Sequence, residues 1–341
     1  MKVAGLMAGA PPNSVHKAFF ESACSSITPL GLPAPGSRLY QAKRMVHLLA
    51  NFRRKELDSA DVALSESIYE YPALHKRLFR KNLKIIELFA SPKIFKVLNG
   101  EADPLSSALM KSLIREVDAF LPVSQMCADF LREKGIDKPA EVVHPFVSDA
   151  KYASLSKAAY DSGSKTIICV GNPPEYKGMD FLLKAFDALC SRGHDLRLRL
   201  VTKGVARKHL EGIKNLDKVA ISPIAGDSAF CDALSSSLLS VHFGRYDTFP
   251  VSTLEAMLGG VPTFVSAWTG TKELAEKADG RFVLPFDVEK SADEIERFLS
   301  LSEGTKLAYS KKFRELALPF SRKEQVALFK EKFDSLVSRL S

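Results

Sequence analysis

Two acidic residues stand eight positions apart in the second half of the chain, on either side of a turn that leads into a predicted helix. Asp247 comes before the turn Thr248-Phe249-Pro250, and Glu255 lies about two turns into the helix. The first turn of a helix leaves backbone N–H groups unpaired and carries a partial positive charge, which favours a bound phosphate. The acids on either side can accept hydrogen bonds from hydroxyl groups. The segment therefore predicts a site for a sugar, a diphosphate and a ribose, which occur together in a nucleotide sugar.

A second segment upstream supplies a cation. Residues 166–170 form a short apolar run that is typical of a buried parallel strand, and Gly171 ends it. The loop that follows carries Lys177 and Gly178 and leads into an amphipathic helix. Ligands of open α/β sheets bind at the carboxyl ends of the strands, where this loop is expected to lie. A lysine held there can neutralise a phosphate group.

The two segments together resemble the signature of retaining glycosyltransferases of family 4, which have the GT-B fold. The downstream signature usually runs Glu-Gly-Phe-(Gly/Pro)-Leu-x-x-Leu-Glu-Ala. Asp247 stands here in place of the first Glu and Thr248 in place of the Gly. The positions that fit are Phe249, Pro250, Leu254, Glu255 and Ala256. The upstream loop of the family usually runs Gly-Arg-x4-Lys-Gly, and Lys177 and Gly178 match its end.

The resemblance implies transfer of a sugar from a nucleotide diphosphate sugar, with retention at the anomeric carbon and with no metal or other cofactor. Lys177 is then expected to neutralise the diphosphate, Asp247 to hold sugar hydroxyls and Glu255 to accept from the ribose. Asn172 replaces the family's Arg, which removes one of the two cations expected to stabilise the leaving group. The further donor-binding candidates are Gly171, Asn172, Thr248, Phe249, Val251, Ser252 and Thr253.

The acceptor side is expected in the first half of the chain. The family usually has a Gly-Gly loop after the first strand, but no Gly pair is present here. Asn13 and His16 stand at the start of a predicted helix that is expected to face the cleft, although His16 can also be read as a surface residue. Glu66 follows a strand where the family often places a His, which makes it a third candidate. The resemblance implies a glycan or a lipid-linked acceptor.

Alternating strand and helix patterns predict an α/β protein with two doubly wound parallel sheets. The resemblance implies two Rossmann-like domains that face a central cleft. We expect an acceptor-side domain over residues 1–150, a linker over 148–164 and a nucleotide-sugar-binding domain over 165–315. A last helix within residues 316–341 is expected to cross back to the first domain. The patterns also predict a strand over 141–144 and a helix over 206–214.

The composition is that of a globular protein. The chain has 341 residues, of which 46% are hydrophobic, and no apolar run reaches the roughly 18 residues of a membrane span. Five cysteines, an odd number with no metal-ligand spacing, favour reduced thiols and a cytoplasmic location. The net charge is +8, and the densest basic cluster is 75–84. This cluster is either a solvated helix face or a peripheral contact with the anionic inner face of a membrane.

Other functions are weighed against the same residues. No nucleic-acid-binding motif is present, so a nucleic-acid partner is not expected. A nicotinamide-dependent Rossmann enzyme is disfavoured because no Gly-x-Gly-x-x-Gly follows a strand. A GT-B epimerase remains an alternative, and so does a non-catalytic subunit that binds a nucleotide sugar or acts as a scaffold.

Overall fold

The chain folds into two compact units, each built around its own parallel sheet. The computed structural model describes residues 1–9, 14–32, 40–101, 104–173, 175–224 and 226–340. Unit 1 consists of Met1–Pro145 together with Lys323–Ser341, and unit 2 of Phe146–Arg322. Each sheet is parallel throughout, and its strands alternate with helices along the chain. The predicted α/β class with two parallel sheets is confirmed.

Unit 1 contains a five-stranded sheet in the order β2-β1-β3-β4-β5. Its strands are β1 (Val3–Met7), β2 (Ser26–Pro29), β3 (Val62–Glu66), β4 (Lys84–Phe89) and β5 (Ala119–Pro122). The helices that follow these strands are α1 (Ser14–Ala23), α2 (Tyr40–Asn51), α3 (Lys55–Asp58), α4 (Glu70–Leu78), α5 (Lys93–Asn99), α6 (Pro104–Leu113) and α7 (Gln125–Glu133). Strands β1 and β3 are almost entirely buried, as expected for a sheet covered on both faces.

The last helix of the chain, α15 (Arg322–Leu340), packs within unit 1. Phe329 of this helix stacks on Phe19 of α1 with ring centroids 4.4 Å apart. Lys332 Nζ donates to the Val142 carbonyl over 2.5 Å, and Arg339 pairs with Glu141 over 2.5 Å. Buried aromatic packing against α1 and polar contacts with residues 141 and 142 therefore hold this helix in place.

Unit 2 contains a six-stranded sheet in the order β11-β10-β9-β6-β7-β8. Its strands are β6 (Thr166–Val170), β7 (Arg197–Val201), β8 (Val219–Ile221), β9 (Leu239–His242), β10 (Thr263–Ser266) and β11 (Val283–Leu284). Its helices are α8 (Asp149–Leu155), α9 (Met179–Ser191), α10 (Asp227–Ser235), α11 (Val251–Leu258), α12 (Lys272–Ala278), α13 (Val288–Leu299) and α14 (Glu303–Ala317). The strand order reverses between β6 and β9, and such a switch point is where open α/β sheets bind ligands.

Three local predictions differ from the structure. The helix predicted over 206–214 is wrong: this stretch has only a short 3-10 turn, Arg207–His209, and Gly212 within it has φ of 81°. The strand predicted over 141–144 is also wrong: these residues donate backbone hydrogen bonds to β5 but do not form a strand. The segment 148–164, expected to be a linker, contains helix α8.

The described residues contain no helix that combines the length and the apolar character needed to cross a bilayer.

Close packing at the start of α9 generates a stability prediction. Gly178 has φ of 69°, and a Cβ there would lie 2.0 Å from the Phe243 carbonyl oxygen. Gly193, just beyond the other end of α9, has φ of 96° but nothing within 4 Å of a built Cβ. We expect Gly178→Ala to lower the free energy of unfolding by about 3 kcal/mol or more, and Gly193→Ala by only about 1 kcal/mol.

Denaturant unfolding measures both variants, because Trp268, the single tryptophan of the chain, reports on unit 2. An equal loss of unfolding free energy in the two variants would contradict the role assigned to the contact between Gly178 and Phe243.

Candidate functional site

Lys177 lies across the carboxyl end of β6. Its side chain runs over Gly171, where a Cβ would lie 2.8 Å from Lys177 Cε. Gly171 has φ of 142°, which also favours glycine. Lys177 Nζ donates to Asp247 Oδ2 over 2.6 Å, so the cation and the first acid predicted from the sequence are in direct contact. Gly171 thus makes room for the lysine that is predicted to meet the phosphates.

Asp247 is held in the turn between β9 and α11 by its backbone. Its N–H donates to the Trp268 carbonyl over 3.0 Å, and its carbonyl accepts from Gly270 N–H over 2.8 Å. These two bonds join the turn to the loop that follows β10. Gly244 permits the close approach, because a Cβ there would lie 2.8 Å from Asp247 Cβ. The carboxylate is therefore fixed by two neighbouring strand ends.

His242, the last residue of β9, is the second donor to Asp247. Its Nε2 lies 2.7 Å from Asp247 Oδ2, the same oxygen that accepts from Lys177. The imidazole is 1% exposed, and its Nδ1 has no hydrogen-bond partner among the described residues. The three side chains form one cluster, the Asp247 cluster, which consists of Lys177, His242 and Asp247.

Burial and charge act against each other in the Asp247 cluster. Burial alone would raise the pKa of Asp247, but the hydrogen bond from His242 and the charge of Lys177 outweigh it and hold the pKa below its ordinary value. Burial lowers the pKa of His242, although its contact with Asp247 opposes the shift. In this arrangement Asp247 is ionised and His242 is neutral at pH 7, with Nε2–H donating to the carboxylate.

The N-terminus of α11 follows Asp247 directly. Thr253 N–H donates to the Pro250 carbonyl over 3.1 Å, so this amide is already engaged. Among the described residues, the N–H groups of Val251 and Ser252 make no hydrogen bond. The Ser252 hydroxyl donates to the Val170 carbonyl over 3.3 Å, which places the helix start beside the end of β6. Two of the three amides predicted to bind phosphate are therefore available.

Thr248 and Phe249 are both buried, at 6% exposure. The ring of Phe249 packs on Phe320, with centroids 6.1 Å apart. Phe249 therefore anchors the turn in the core of unit 2, and a sugar could contact only its backbone.

Glu255 lies inside α11 and is 5% exposed. Its Oε1 accepts from Lys151 Nζ of α8 over 2.9 Å. The same ammonium lies 4.2 Å from the centre of the Phe230 ring, a cation–π distance. Burial raises the pKa of Glu255, and the nearby Lys151 offsets this shift only in part.

Asn172 does not supply the positive charge of the arginine that the family usually has at this position, but its side chain has a structural role. Its Oδ1 accepts from the Thr202 hydroxyl over 2.6 Å and from Lys203 N–H over 3.1 Å, which links the ends of β6 and β7. Arg245, two residues before Asp247, does not supply the missing positive charge for the diphosphate either. Its guanidinium binds both carboxylate oxygens of Asp180, over 2.8 and 3.0 Å.

In unit 1 the structure brings two acceptor-side candidates together. His16 Nδ1 lies 2.5 Å from Glu66 Oε1, and both side chains are largely buried. His16 comes from α1 and Glu66 from the carboxyl end of β3, so the pair lies where β1 and β3 end. His16 is therefore not a surface residue. Asn13 lies outside the described residues.

A buried charge cluster lies next to this pair. Lys93 Nζ contacts both oxygens of Glu70 over 2.6 Å, and Arg44 donates to Glu70 over 2.9 Å. Ser65 donates to Glu87 over 2.5 Å. Burial lowers the pKa of Lys93 to about 8 and raises the pKa of Glu87 well above its ordinary value. This edge of the unit 1 sheet thus contains a buried ion-pair network, Lys93 and Arg44 with Glu70, beside the desolvated carboxyl group of Glu87.

Sequence reasoning missed several of these groups. His242 had a detectable signal, because it is a histidine at the end of an apolar run five residues before Asp247. Glu87 had one as well, as a lone acid inside the run 85–89. Lys151 had none, since the polar segment around it has no apolar periodicity. No group of three or more His, Cys, Asp or Glu side chains is placed to hold a metal ion in the described parts of the chain.

Comparison with known proteins gives this geometry a context. Residues 164–301 match the family model of the glycosyl transferases group 1. The chain is 26% identical over 213 residues to the alpha-D-kanosaminyltransferase of Streptomyces kanamyceticus, a match that covers 58% of this chain and 55% of that protein. It is 29% identical over 156 residues to the mannosylfructose-phosphate synthase of Agrobacterium fabrum, covering 42% of this chain and 34% of that protein. The matches thus span about half or less of these relatives.

Solved structures agree on the fold. The sucrose-phosphate synthase from Thermosynechococcus elongatus superposes with a TM-score of 0.74 at 14% identity, covering 99% of this chain and 100% of that one. The Anabaena protein HepE, solved with UDP and glucose, superposes with a TM-score of 0.68 at 14% identity over 99% of this chain and all of that one. The predicted GT-B class is confirmed, and residues 164–301 carry the similarity to the glycosyl transferases group 1.

Proposed function

We propose that the protein is a retaining, metal-independent hexosyltransferase that moves a sugar from a UDP- or GDP-sugar to a glycan or a lipid-linked acceptor. One observation carries the proposal: Lys177, Asp247 and the start of α11 meet at the switch point of the unit 2 sheet. A cation, a carboxylate and two available amides are what a sugar diphosphate needs. The complex of HepE with UDP and glucose supports this choice of ligand.

The proposed roles follow from the contacts. Lys177 and the amides of Val251 and Ser252 bind the diphosphate, and the desolvated position of Lys177 strengthens its interaction with developing charge. Asp247 holds hydroxyl groups of the transferred sugar. Glu255 accepts from the ribose through Oε2, because its other oxygen is occupied by Lys151. The departing diphosphate helps to deprotonate the acceptor.

On the acceptor side we propose that His16 and Glu66 orient the acceptor hydroxyl. The Glu66 carboxylate fixes the imidazole through Nδ1, which leaves Nε2 as the group that meets the acceptor. The pairing of a histidine with a carboxylate sets the ring orientation in the same way at many catalytic sites.

Nucleotide-sugar binding should depend on both donor-site residues. We expect Lys177→Met to weaken binding about 10- to 100-fold, since it removes a charge-assisted contact worth about 1.5–3 kcal/mol. Glu255→Gln should lose most of the preference for a ribose over a deoxyribose nucleotide. Trp268 fluorescence is the readout, because its carbonyl accepts from Asp247 N–H.

Matched controls are available in unit 2. Lys184→Met removes an exposed lysine from α9, and Glu289→Gln removes an exposed acid from α13. Neither should change binding. If Lys177→Met binds UDP- and GDP-sugars like the wild type, the donor site is wrongly assigned. If the wild type binds nucleotides tightly but transfers no sugar, the non-catalytic subunit becomes the better account.

Substitutions of His16 and Glu66 should lower the rate of sugar transfer without changing the binding of the nucleotide sugar. We expect His16→Ala and Glu66→Gln each to lower sugar transfer about 100-fold, to the best acceptor of a panel of sugars and lipid-linked sugars. Glu21→Gln on the same helix is the control, because Glu21 is half exposed and pairs only loosely with Lys17 over 3.4 Å. Unchanged transfer in both His16 and Glu66 variants would rule out the pair.

We also propose a peripheral contact with an anionic membrane. It involves a smaller surface than the whole basic cluster 75–84. His75 of the predicted basic cluster is buried, Lys76 pairs with Asp118, and Arg77 pairs with Glu116. Two apolar side chains of the same segment are exposed, Leu78 at 56% and Phe79 at 50%.

Substitution of Leu78 and Phe79 tests the membrane contact. We expect the double variant Leu78→Ser/Phe79→Ser to sediment less with vesicles that contain phosphatidylserine, because apolar contact area is lost. Leu307→Ser, which changes a leucine of unit 2 that is 45% exposed, should have no effect. Wild-type protein that fails to sediment with such vesicles would contradict the membrane contact.

A further inference from the structure

The donor site has too little positive charge for its proposed ligand. A nucleotide sugar brings a diphosphate with about two negative charges, since both phosphates are esterified. The Asp247 cluster is neutral as a whole, because Lys177 is balanced by Asp247 and His242 is uncharged. Arg245 is already paired with Asp180. Asn172 carries no charge, so the second cation that the family usually has is absent.

His242 is placed to become that cation. It is buried behind Asp247, at 2.7 Å from Oδ2, and can bind one more proton at Nδ1. The charged groups that face it are Asp247 from the turn before α11 and Lys177 from the loop after β6. Cys169 of β6 faces the same cluster, and burial raises the pKa of its thiol to about 12, so it stays neutral.

We propose that binding of the nucleotide sugar makes His242 take up a proton, and that this imidazolium supplies the second positive charge that Asn172 does not provide. The inference rests on the proposed function, because it needs the diphosphate to bind Lys177. A phosphate at hydrogen-bond distance from Lys177 Nζ lies within about 6 Å of the Asp247 carboxylate. It draws the ammonium away from Asp247 and adds negative charge beside it.

The buried carboxylate then needs a new counter-ion. Two anions in a poorly solvated site favour the protonated form of a neighbouring imidazole. The proton comes from solvent and returns to it when the nucleoside diphosphate leaves. His242 does not touch the substrate in this scheme. It is a positioning residue that acts through Asp247.

The sign of the pH dependence follows from linkage. Burial keeps the pKa of His242 low in the donor-free protein, and the donor-bound protein holds the proton more tightly. Between these two pKa values the complex binds more protons than the free protein, so affinity rises as the pH falls. The dissociation constant should change by up to about tenfold per pH unit in that window. Outside the window it should be constant.

Titration calorimetry with UDP-glucose and GDP-mannose tests the proposal. Binding at pH 7 is measured in buffers of different ionisation enthalpy, which counts the protons taken up. These probes are chosen because neither has a phosphate that titrates near neutral pH. We expect uptake of a fraction of a proton, and up to about one, per bound ligand for the wild type. His242→Gln should bind without proton uptake, since its amide nitrogen reaches the position of Nε2 and can donate to Asp247 but does not titrate.

Two further variants sharpen the result. Asn172→Arg restores a permanent cation and should reduce the uptake. His194→Asn, which changes a partly exposed histidine paired with Glu296, should leave the uptake unchanged. Thermal unfolding of each variant checks that it is folded. His242→Asn replaces His242→Gln if the Gln variant is not folded.

Three outcomes would overturn the inference. Tight binding by the wild type with no proton uptake would do so while leaving the proposed function intact. Uptake that persists in the folded His242 variant would assign the proton to another group. Binding of neither nucleotide sugar would reject this donor class, and the inference would fall with it.

Discussion

The structure of the donor site depends on one carboxylate oxygen that accepts from two donors. Asp247 Oδ2 is shared between Lys177 and His242, at 2.6 and 2.7 Å, in a site that excludes most water. Removing either donor would leave a buried charge with too little compensation, which is far more costly than losing a surface ion pair. The same arrangement holds the cation beside the helix start. The free site is therefore ordered before any ligand arrives, and a ligand must compete for Lys177.

Parallel sheet topology explains why these side chains meet. The strands β6 and β9 are neighbours in the sheet although about 70 residues separate them in sequence. Their carboxyl ends place the Lys177 loop, His242 and the Asp247 turn at one edge. Glycines at 171, 178 and 244 allow backbone and side chains to approach more closely than a Cβ would permit. Packing of the core thus sets the geometry of the polar site.

Much of this arrangement follows from sequence patterns, because short apolar runs and helix starts are local signals. The Lys177 loop and the acids at 247 and 255 could be placed on their elements in that way. The contact of His16 with Glu66 could not, since it joins a helix and a strand whose spacing only the folded sheet determines. Lys151 could not be predicted, because the sequence around it has no apolar periodicity. The segment 206–214 was mistaken for a helix because its charges mimic an exposed helix face, whereas Gly212, with its positive φ, interrupts it.

A crystal structure with an intact nucleotide sugar would test the central claim most directly. The account predicts a diphosphate about 3 Å from Lys177 Nζ and from the amides of Val251 and Ser252, with ribose hydroxyls on Glu255. It also predicts that the distance between Lys177 and Asp247 increases while the contact of Asp247 with His242 remains. A nucleotide whose diphosphate lies away from Lys177 and the start of α11 would contradict the account.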